Sequence, residues 1–192
     1  MNFVVEQLEI PDVKLIKAVK HEDHRGFFSE TYSTKALEGI GIETTFVQDN
    51  HSLSVDKGTL RGLHFQVPPF AQHKLVRVTN GAIFEVAVDI RQGSATFGKH
   101  VSTIVSASSW NQLFVPIGFA HGLMTLEPNT EVLYKVSNYY ARECDKGLAW
   151  DDADLGIDWP TLGMDAIISD KDKTHPTLSE LQNYFSIEDT PL

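Results

Sequence analysis

From about residue 12 to residue 140 the chain alternates short apolar runs with turn residues. Runs of this length, set off by Gly, Pro, Asn and Asp, predict an all-β sandwich or barrel. The pattern places strands at residues 13–19, 45–51, 74–79, 82–91, 101–106, 111–116 and 132–138. The clearest local prediction is a hairpin from Lys74 to Arg91, turning at Asn80-Gly81. Both residues accept the positive φ that a type I′ turn requires. After that turn Phe84, Val86, Val88 and Ile90 share one face, and Glu85, Ala87 and Asp89 share the other. Two short helices are expected. One spans 33–40, with Ser/Thr cap residues at its start and Gly39 or Gly41 at its end. The second follows Thr177, where Glu180 stands at capping-box spacing and Leu181 and Tyr184 come next. Residues 141–176 are rich in Asp, Gly and Pro, and read as a connection wrapping the barrel. The chain, residues 1–192, is therefore expected to be one domain.

Hydrophobic residues make up 42%, enough for a sizeable core, which argues against disorder. A net charge of −10 argues against a nucleic-acid partner, but leaves room for one small anionic ligand held by a few local cations. Cys144 is the only cysteine, so no intrachain disulfide can form and a reducing, cytoplasmic setting is expected. The first six residues lack the basic and apolar regions of a secretory signal. No stretch approaches the roughly 18 apolar residues of a membrane span, so no membrane partner is expected.

Three segments carry the chemistry. His64 lies in Leu60-Arg61-Gly62-Leu63-His64-Phe65-Gln66, Lys74 follows ten residues later, and His121 ends Pro116-Ile117-Gly118-Phe119-Ala120-His121. Gly58-x5-His64, Lys74-x6-Gly81 and Pro116-x-Gly118-x-x-His121 resemble the two half-motifs of a cupin barrel. Metal-binding cupins carry a second histidine and a glutamate where this chain has Gln66 and Lys74. A charged ammonium donates three hydrogen bonds and cannot ligate a cation. The pocket is therefore expected to hold an anion or oxyanion, with no metal and no cofactor. On an extended strand His64 and Gln66 face one side. Arg61 has the opposite parity, and joins His64 only if Gly62 marks a bulge. Tyr134 shares a face with Val132 and Val136. A histidine base, a fixed cation and a phenol suit proton abstraction beside a carbonyl, with return of a proton from the other side.

The ordered motifs from Asp23 to Asp172 resemble the dTDP-4-keto-6-deoxyglucose 3,5-epimerase family. They include Asp23-His24-Arg25-Gly26-Phe27-Phe28, Phe46-Val47-Gln48-Asp49-Asn50-His51-Ser52, Gln72-His73-Lys74-Leu75-Val76-Arg77, Leu133-Tyr134-Lys135, Asn138-Tyr139-Tyr140 and Trp150-Asp151-Asp152. The resemblance implies a cupin-type double-stranded β-helix, or jelly-roll, barrel with a few short helices, mainly C-terminal. It implies metal-independent epimerisation at C3 and C5 of a dTDP-linked 4-keto-6-deoxy sugar. His64 would be the base, Asp172 its orienting carboxylate, and Tyr134 the proton donor. Lys74 and His121 would lie near the sugar carbonyl and hydroxyls, with Arg61 and Lys171 at the diphosphate. Arg25, Glu30, Gln48, Asp49 and Asn50 would also contact the ligand, some of them from the neighbouring subunit of a homodimer with exchanged N-terminal strands. Tyr139 would stack on the thymine, and Asp145 aligns with a further acidic position. The chain departs from the family pattern at Glu85, where aspartate is usual, and at Asp145, where glutamate is common. Related activities are a C3-only epimerase or a 3,4-ketoisomerase. Activities of other classes are a metal-dependent cupin enzyme and a non-catalytic sugar-binding cupin. The remaining histidines, His24, His51, His73, His100 and His175, read as structural, and Arg77 and Arg91 as ion-paired surface residues.

Overall fold

The computed structural model describes residues 3–188, so Met1 and Asn2 of the N-terminal segment lie outside it. In chain order the first strands are β1 (Phe3–Gln7), β2 (Lys14–Ala18), β3 (His21–Asp23), β4 (Gly26–Phe28), β5 (Gln48–Ser54), β6 (Thr59–Gln66), β7 (Lys74–Asn80) and β8 (Ala82–Asp89). Then come β9 (Arg91–Gln92), β10 (His100–Ser106), β11 (Asn111–Val115), β12 (Phe119–Thr125), β13 (Thr130–Val136), β14 (Asp145–Gly147), β15 (Ile167–Ile168) and β16 (Phe185–Ser186). One large sheet has the order β1-β2-β11-β7-β13-β5; the other runs β10-β8-β12-β6-β14, with β15 added in parallel to β6. This is the expected cupin-type barrel. Its inner layer holds Val13, Leu15, Val76, Val78, Ile83, Ala87, Leu113, Phe119, Leu123 and Val132, contributed by both sheets. Among the described residues no helix is long and apolar enough to cross a membrane.

The predicted hairpin does not form. β7 pairs with β11 and β13, whereas β8 pairs with β10 and β12, so consecutive strands lie in different sheets. Asn80 ends β7 without a positive φ, and Gly81 alone turns the chain at φ +80°. A Cβ on Gly81 would fall 2.3 Å from Thr130 Oγ1, so the crossing needs glycine. The Asn-Gly rule reads local backbone geometry; here burial on both faces of β8 chooses the partners. Its Phe84, Val86, Val88 and Ile90 face packs under the C-terminal segment, as the predicted parity requires, while Ile83 and Ala87 enter the barrel.

The helix expected at 33–40 is α1 (Thr34–Glu38), capped by Ser33, whose Oγ accepts the Ala36 N–H, with Leu37 buried. No helix follows Thr177 among the described residues. The capping contacts do occur: Thr177 N–H donates to Glu180 Oε2 at 3.1 Å, and Glu180 N–H to Thr177 O at 3.1 Å. They close one turn only, because Leu178, Leu181 and Tyr184 spread over the outer face of the second sheet and β16 pairs with β9. Among the described residues the other helical pieces are two 3₁₀ turns, Arg142–Cys144 and Asp172–Thr174, so the few short helical segments lie mainly in the C-terminal half, while the one α-helix lies near the N-terminus. The 141–176 connection wraps the barrel as expected, and also adds β14 and β15 to the edge of β6 that faces away from β12, one at each end of the strand. Arg91 is ion-paired but not on the surface: it is fully buried against Asp89 at 2.7 Å and Asp12 at 2.6 Å. Arg77 is half-buried, over the ring of Trp110.

Candidate active site

β6 and β12, strands outside the predicted set, carry His64 and His121, because Gly62, His64, Gln66 and Gly122 interrupt their apolar pattern. The pairing runs His121↔His64 and then Leu123↔Arg61, so Gly122 alone on β12 opposes both Gly62 and Leu63 on β6. This is the bulge that puts Arg61 and His64 on one side. Gly62 makes it possible: its φ is +127°, and a Cβ there would lie 2.6 Å from Gly122 Cα.

A cavity of about 520 Å³ opens between the sheets, within the range of small-molecule sites. Arg61, His64 and His121 line it from one sheet, and Lys74 and Tyr134 from the other. The segment after β15 contributes Ser169, Lys171 and Asp172. His64 Nε2 lies 2.7 Å from Asp172 Oδ1, and Asp172 Oδ2 accepts the Gly62 N–H at 3.3 Å. Burial pushes the Asp172 carboxyl upward, but its hydrogen bonds from His64 and Gly62 outweigh this and hold it below its ordinary value. An ionised carboxylate only accepts, so the facing imidazole nitrogen carries the proton and the other keeps a basic lone pair.

Lys74 donates to the His64 carbonyl oxygen at 3.3 Å. Burial lowers its pKa to about 8, against the pull of Asp145 and Glu85. Glu85 is fully buried and 2.6 Å from His121 Nε2; burial raises it to about 8, with Lys74 opposing. His121 is held well below its ordinary value by burial and by the charges of Lys74 and His64, so it stays neutral at pH 7. Burial raises the Tyr134 phenol, with Arg61 opposing and Asp145 adding, and at neutral pH it keeps its proton.

The cavity thus assembles His64, Lys74, His121, Tyr134, Asp172, Arg61 and Lys171 of the expected set. Asp145 is adjacent, paired with Lys171 at 2.5 Å. Asn50 stands opposite Tyr134 in register and so shares its inward face, and Gln48 donates to Asn50 at 2.8 Å. Asp49 does not join them: strand alternation turns it outward, where it pairs with Lys135 at 2.8 Å. Arg25 lies on the exposed β3–β4 hairpin, paired with Asp23, and Glu30 lies near the start of α1; neither lines this chain's cavity. Tyr139 is exposed and off the lining. Gln66, at the position of a metal-cupin histidine, is tied to backbone: it donates to the Phe70 and Tyr139 carbonyls and accepts from Ala141.

Sequence reasoning missed Ser52, Thr59, Ile167 and Ile168 in the lining, and the place of His175. The His175 ring meets His64 edge-on, centroids 5.7 Å apart, over Gly147. Its i+3 spacing from Asp172 was the only signal, and a weak one. His73, by contrast, is structural as read: half-buried, pushed down to about 4 by desolvation, and accepting the Ile117 N–H.

Comparison with known proteins agrees with this geometry. The family model for dTDP-4-dehydrorhamnose 3,5-epimerase matches residues 7–180. The dTDP-4-dehydrorhamnose 3,5-epimerase of Sinorhizobium fredii is 51% identical over 92% of this chain and 90% of its own length. That of Escherichia coli K12 is 49% identical over 94% and 96%. A crystal structure of dTDP-6-deoxy-D-glucose-3,5-epimerase from Legionella pneumophila, in complex with dTDP-4-keto-L-rhamnose, superposes with a TM-score of 0.89 at 40% identity, covering 98% of this chain and 97% of that one. With bulge, dyad, cation and phenol set around one cavity, and with these matches over nearly its whole length, the chain belongs to the dTDP-4-dehydrorhamnose 3,5-epimerase family.

Proposed function

We propose that this protein, working as one domain, converts dTDP-4-dehydro-6-deoxyglucose to dTDP-4-dehydro-L-rhamnose by inverting C3 and C5. The observation that carries this reading is the placement of His64 and Tyr134 on opposing sheets around one cavity, with Lys74 beside the dyad. C3 and C5 both flank the C4 ketone, so their hydrogens are acidic enough for a positioned base. The free nitrogen of His64 takes the proton. The C–H electron pair moves toward C4, and negative charge gathers on the ketone oxygen. The Lys74 ammonium stabilises that charge, and Asp172 stabilises the imidazolium. Tyr134 then gives its phenolic proton to the opposite face of the carbon, the carbonyl re-forms, and the centre is inverted. Solvent reprotonates the phenolate and takes the proton from His64.

Arg61 and Lys171 supply positive charge for the diphosphate at the mouth of the cavity. The Glu85–His121 pair supplies a neutral polar contact for a sugar hydroxyl. In a homodimer, the β3–β4 hairpin, exposed on every residue and carrying Arg25, Phe27 and Phe28, would complete the neighbouring cavity. A nucleotide-sugar substrate and a lone cysteine fit a cytoplasmic enzyme. The test is incubation with the keto sugar nucleotide in heavy water, followed by NMR at both carbons. Inversion with deuterium at C3 and C5 is expected; change at C3 alone would make it a mono-epimerase, and no exchange would reject the reading.

A further inference from the structure

We propose that His64, Asp172 and His175 form a transition-metal site, best suited to zinc, whose occupation switches the enzyme off. The ligand atoms of these three residues all lie within 4.8 Å of one another. His64 Nε2 is 2.7 Å and His175 Nε2 3.5 Å from the same oxygen, Asp172 Oδ1. Zinc bonds of roughly 2.0–2.1 Å in a tetrahedron hold ligand atoms roughly 3.3–3.4 Å apart. Small side-chain rotations bring the three atoms to that spacing.

A second observation is independent of the cluster itself. The His175 side chain is only 10% exposed, and its Nε2 makes no well-formed hydrogen bond: its polar neighbour is Asp172 Oδ1, at the long distance of 3.5 Å. A buried ring nitrogen left without a well-formed hydrogen bond calls for an explanation. The ring is not there by slack packing: Gly147, paired with His64 across β14 and β6, leaves the space, and a Cβ on it would lie 2.2 Å from His175 Nε2. His64 lines the cavity, so an ion has a route in, and solvent can supply the fourth ligand.

Two imidazoles and one carboxylate favour zinc, nickel or copper over magnesium or calcium. The neighbouring Lys171 and Lys74 ammonium groups disfavour loosely held hard cations further. Inhibition rests on the proposed role of His64 as base. An ion on the nitrogen that faces Asp172 replaces the hydrogen bond and draws electron density from the ring. The other nitrogen then loses basicity, and Asp172 no longer supports an imidazolium.

The test uses the intact enzyme and zinc chloride. Calorimetry should show one ion per chain, turnover should fall in step with occupancy, and EDTA should restore it, while magnesium has no effect. His175→Gln should raise the half-inhibitory zinc concentration at least about tenfold, measured against its own zinc-free rate. If that variant does not fold, anomalous scattering from wild-type crystals soaked in zinc locates the ion directly. Absence of zinc binding, equal inhibition of wild type and variant, or an ion lodged at Glu85 and His121 instead would overturn the site, leaving His64 as base untouched. Zinc bound at the three residues with turnover unchanged would overturn the inhibition and count against His64 as the base.

Discussion

Asp172→Asn removes one charge and almost no volume, which makes it the most informative single change in the dyad. Asp172 Oδ1 sits 2.7 Å from His64 Nε2, and the side chain is 4% exposed. When His64 takes the substrate proton, it becomes an imidazolium against this carboxylate. At an effective dielectric of about 20, unit charges about 4 Å apart attract by about 4 kcal/mol. Relaxation of the pocket and solvent at the half-open His64 reduce that figure. A hydrogen bond to a charged group contributes about 1.5–3 kcal/mol, against about 0.5–1.5 kcal/mol for a neutral one. Together these place the loss at about 2–4 kcal/mol in the transition state. At about 1.36 kcal/mol per decade, turnover should fall about 30- to 1000-fold. Asparagine can also present its NH₂ to His64, which would leave the proton on the catalytic nitrogen and deepen the loss. Nucleotide affinity should change little, since Asp172 faces His64 and Gly62 rather than the cationic mouth. The assay is steady-state turnover of the keto sugar nucleotide, with dTDP binding and the melting curve as controls. A folded variant that binds dTDP and turns over within about threefold of wild type would refute the dyad reasoning.

Three further outcomes follow from the same structure. Lys74 is lowered to about 8 by burial, so its ammonium, and with it the enolate stabilisation, is present below that pH and lost above it. Glu85, raised to about 8 by burial, would add negative charge over the same range, and the two titrate as a pair. The pH profile of kcat/KM should therefore have an alkaline limb near 8, and Lys74→Met should lose about 10²–10³-fold in turnover and abolish that limb. Because Lys74 is depressed below its ordinary 10.5, the unfolded chain takes the proton first as pH falls. Its contribution to stability is therefore full above 10.5 and declines toward 8. Gly81→Ala forces a Cβ to 2.3 Å from Thr130 Oγ1 at φ +80°. A strained backbone position costs about 1–3 kcal/mol, so the midpoint of thermal unfolding should drop by several degrees, about 4–8 °C for a 2 kcal/mol loss. An unchanged midpoint would mean that the sheet-to-sheet crossing tolerates a side chain.

How much of this was legible beforehand depended on whether the signal was local. The parity of β8 was legible, because period-two alternation is fixed by backbone geometry alone. The Gly62 bulge was legible as a condition: Arg61 and His64 could share a pocket only if it existed, and it does. The Asn80-Gly81 hairpin was misread because turn chemistry says nothing about which sheet the next strand joins. The Thr177–Glu180 capping contacts form as their spacing predicts, but the helix expected after them does not, since apolar contacts with the sheet drew Leu178 and Leu181 out of helical spacing. The constellation of His64, Lys74, His121 and Tyr134 came from motifs whose spacing encodes the strand pairing. Asp172 lies 108 residues from His64, and only the resemblance could tie the two together. His175 carried no motif, and its contact with His64 depends on a glycine in a third strand, β14.

The central claim is that one side chain removes a proton and another, across the barrel, returns one. Tyr134→Phe in heavy water tests it most directly. With His64, Lys74 and Asp172 intact, the variant should still exchange the C3 hydrogen for deuterium, slowly, while the inverted sugar fails to accumulate. Inverted, deuterated product formed at the wild-type rate would contradict the assignment of the phenol, and with it the two-sided mechanism.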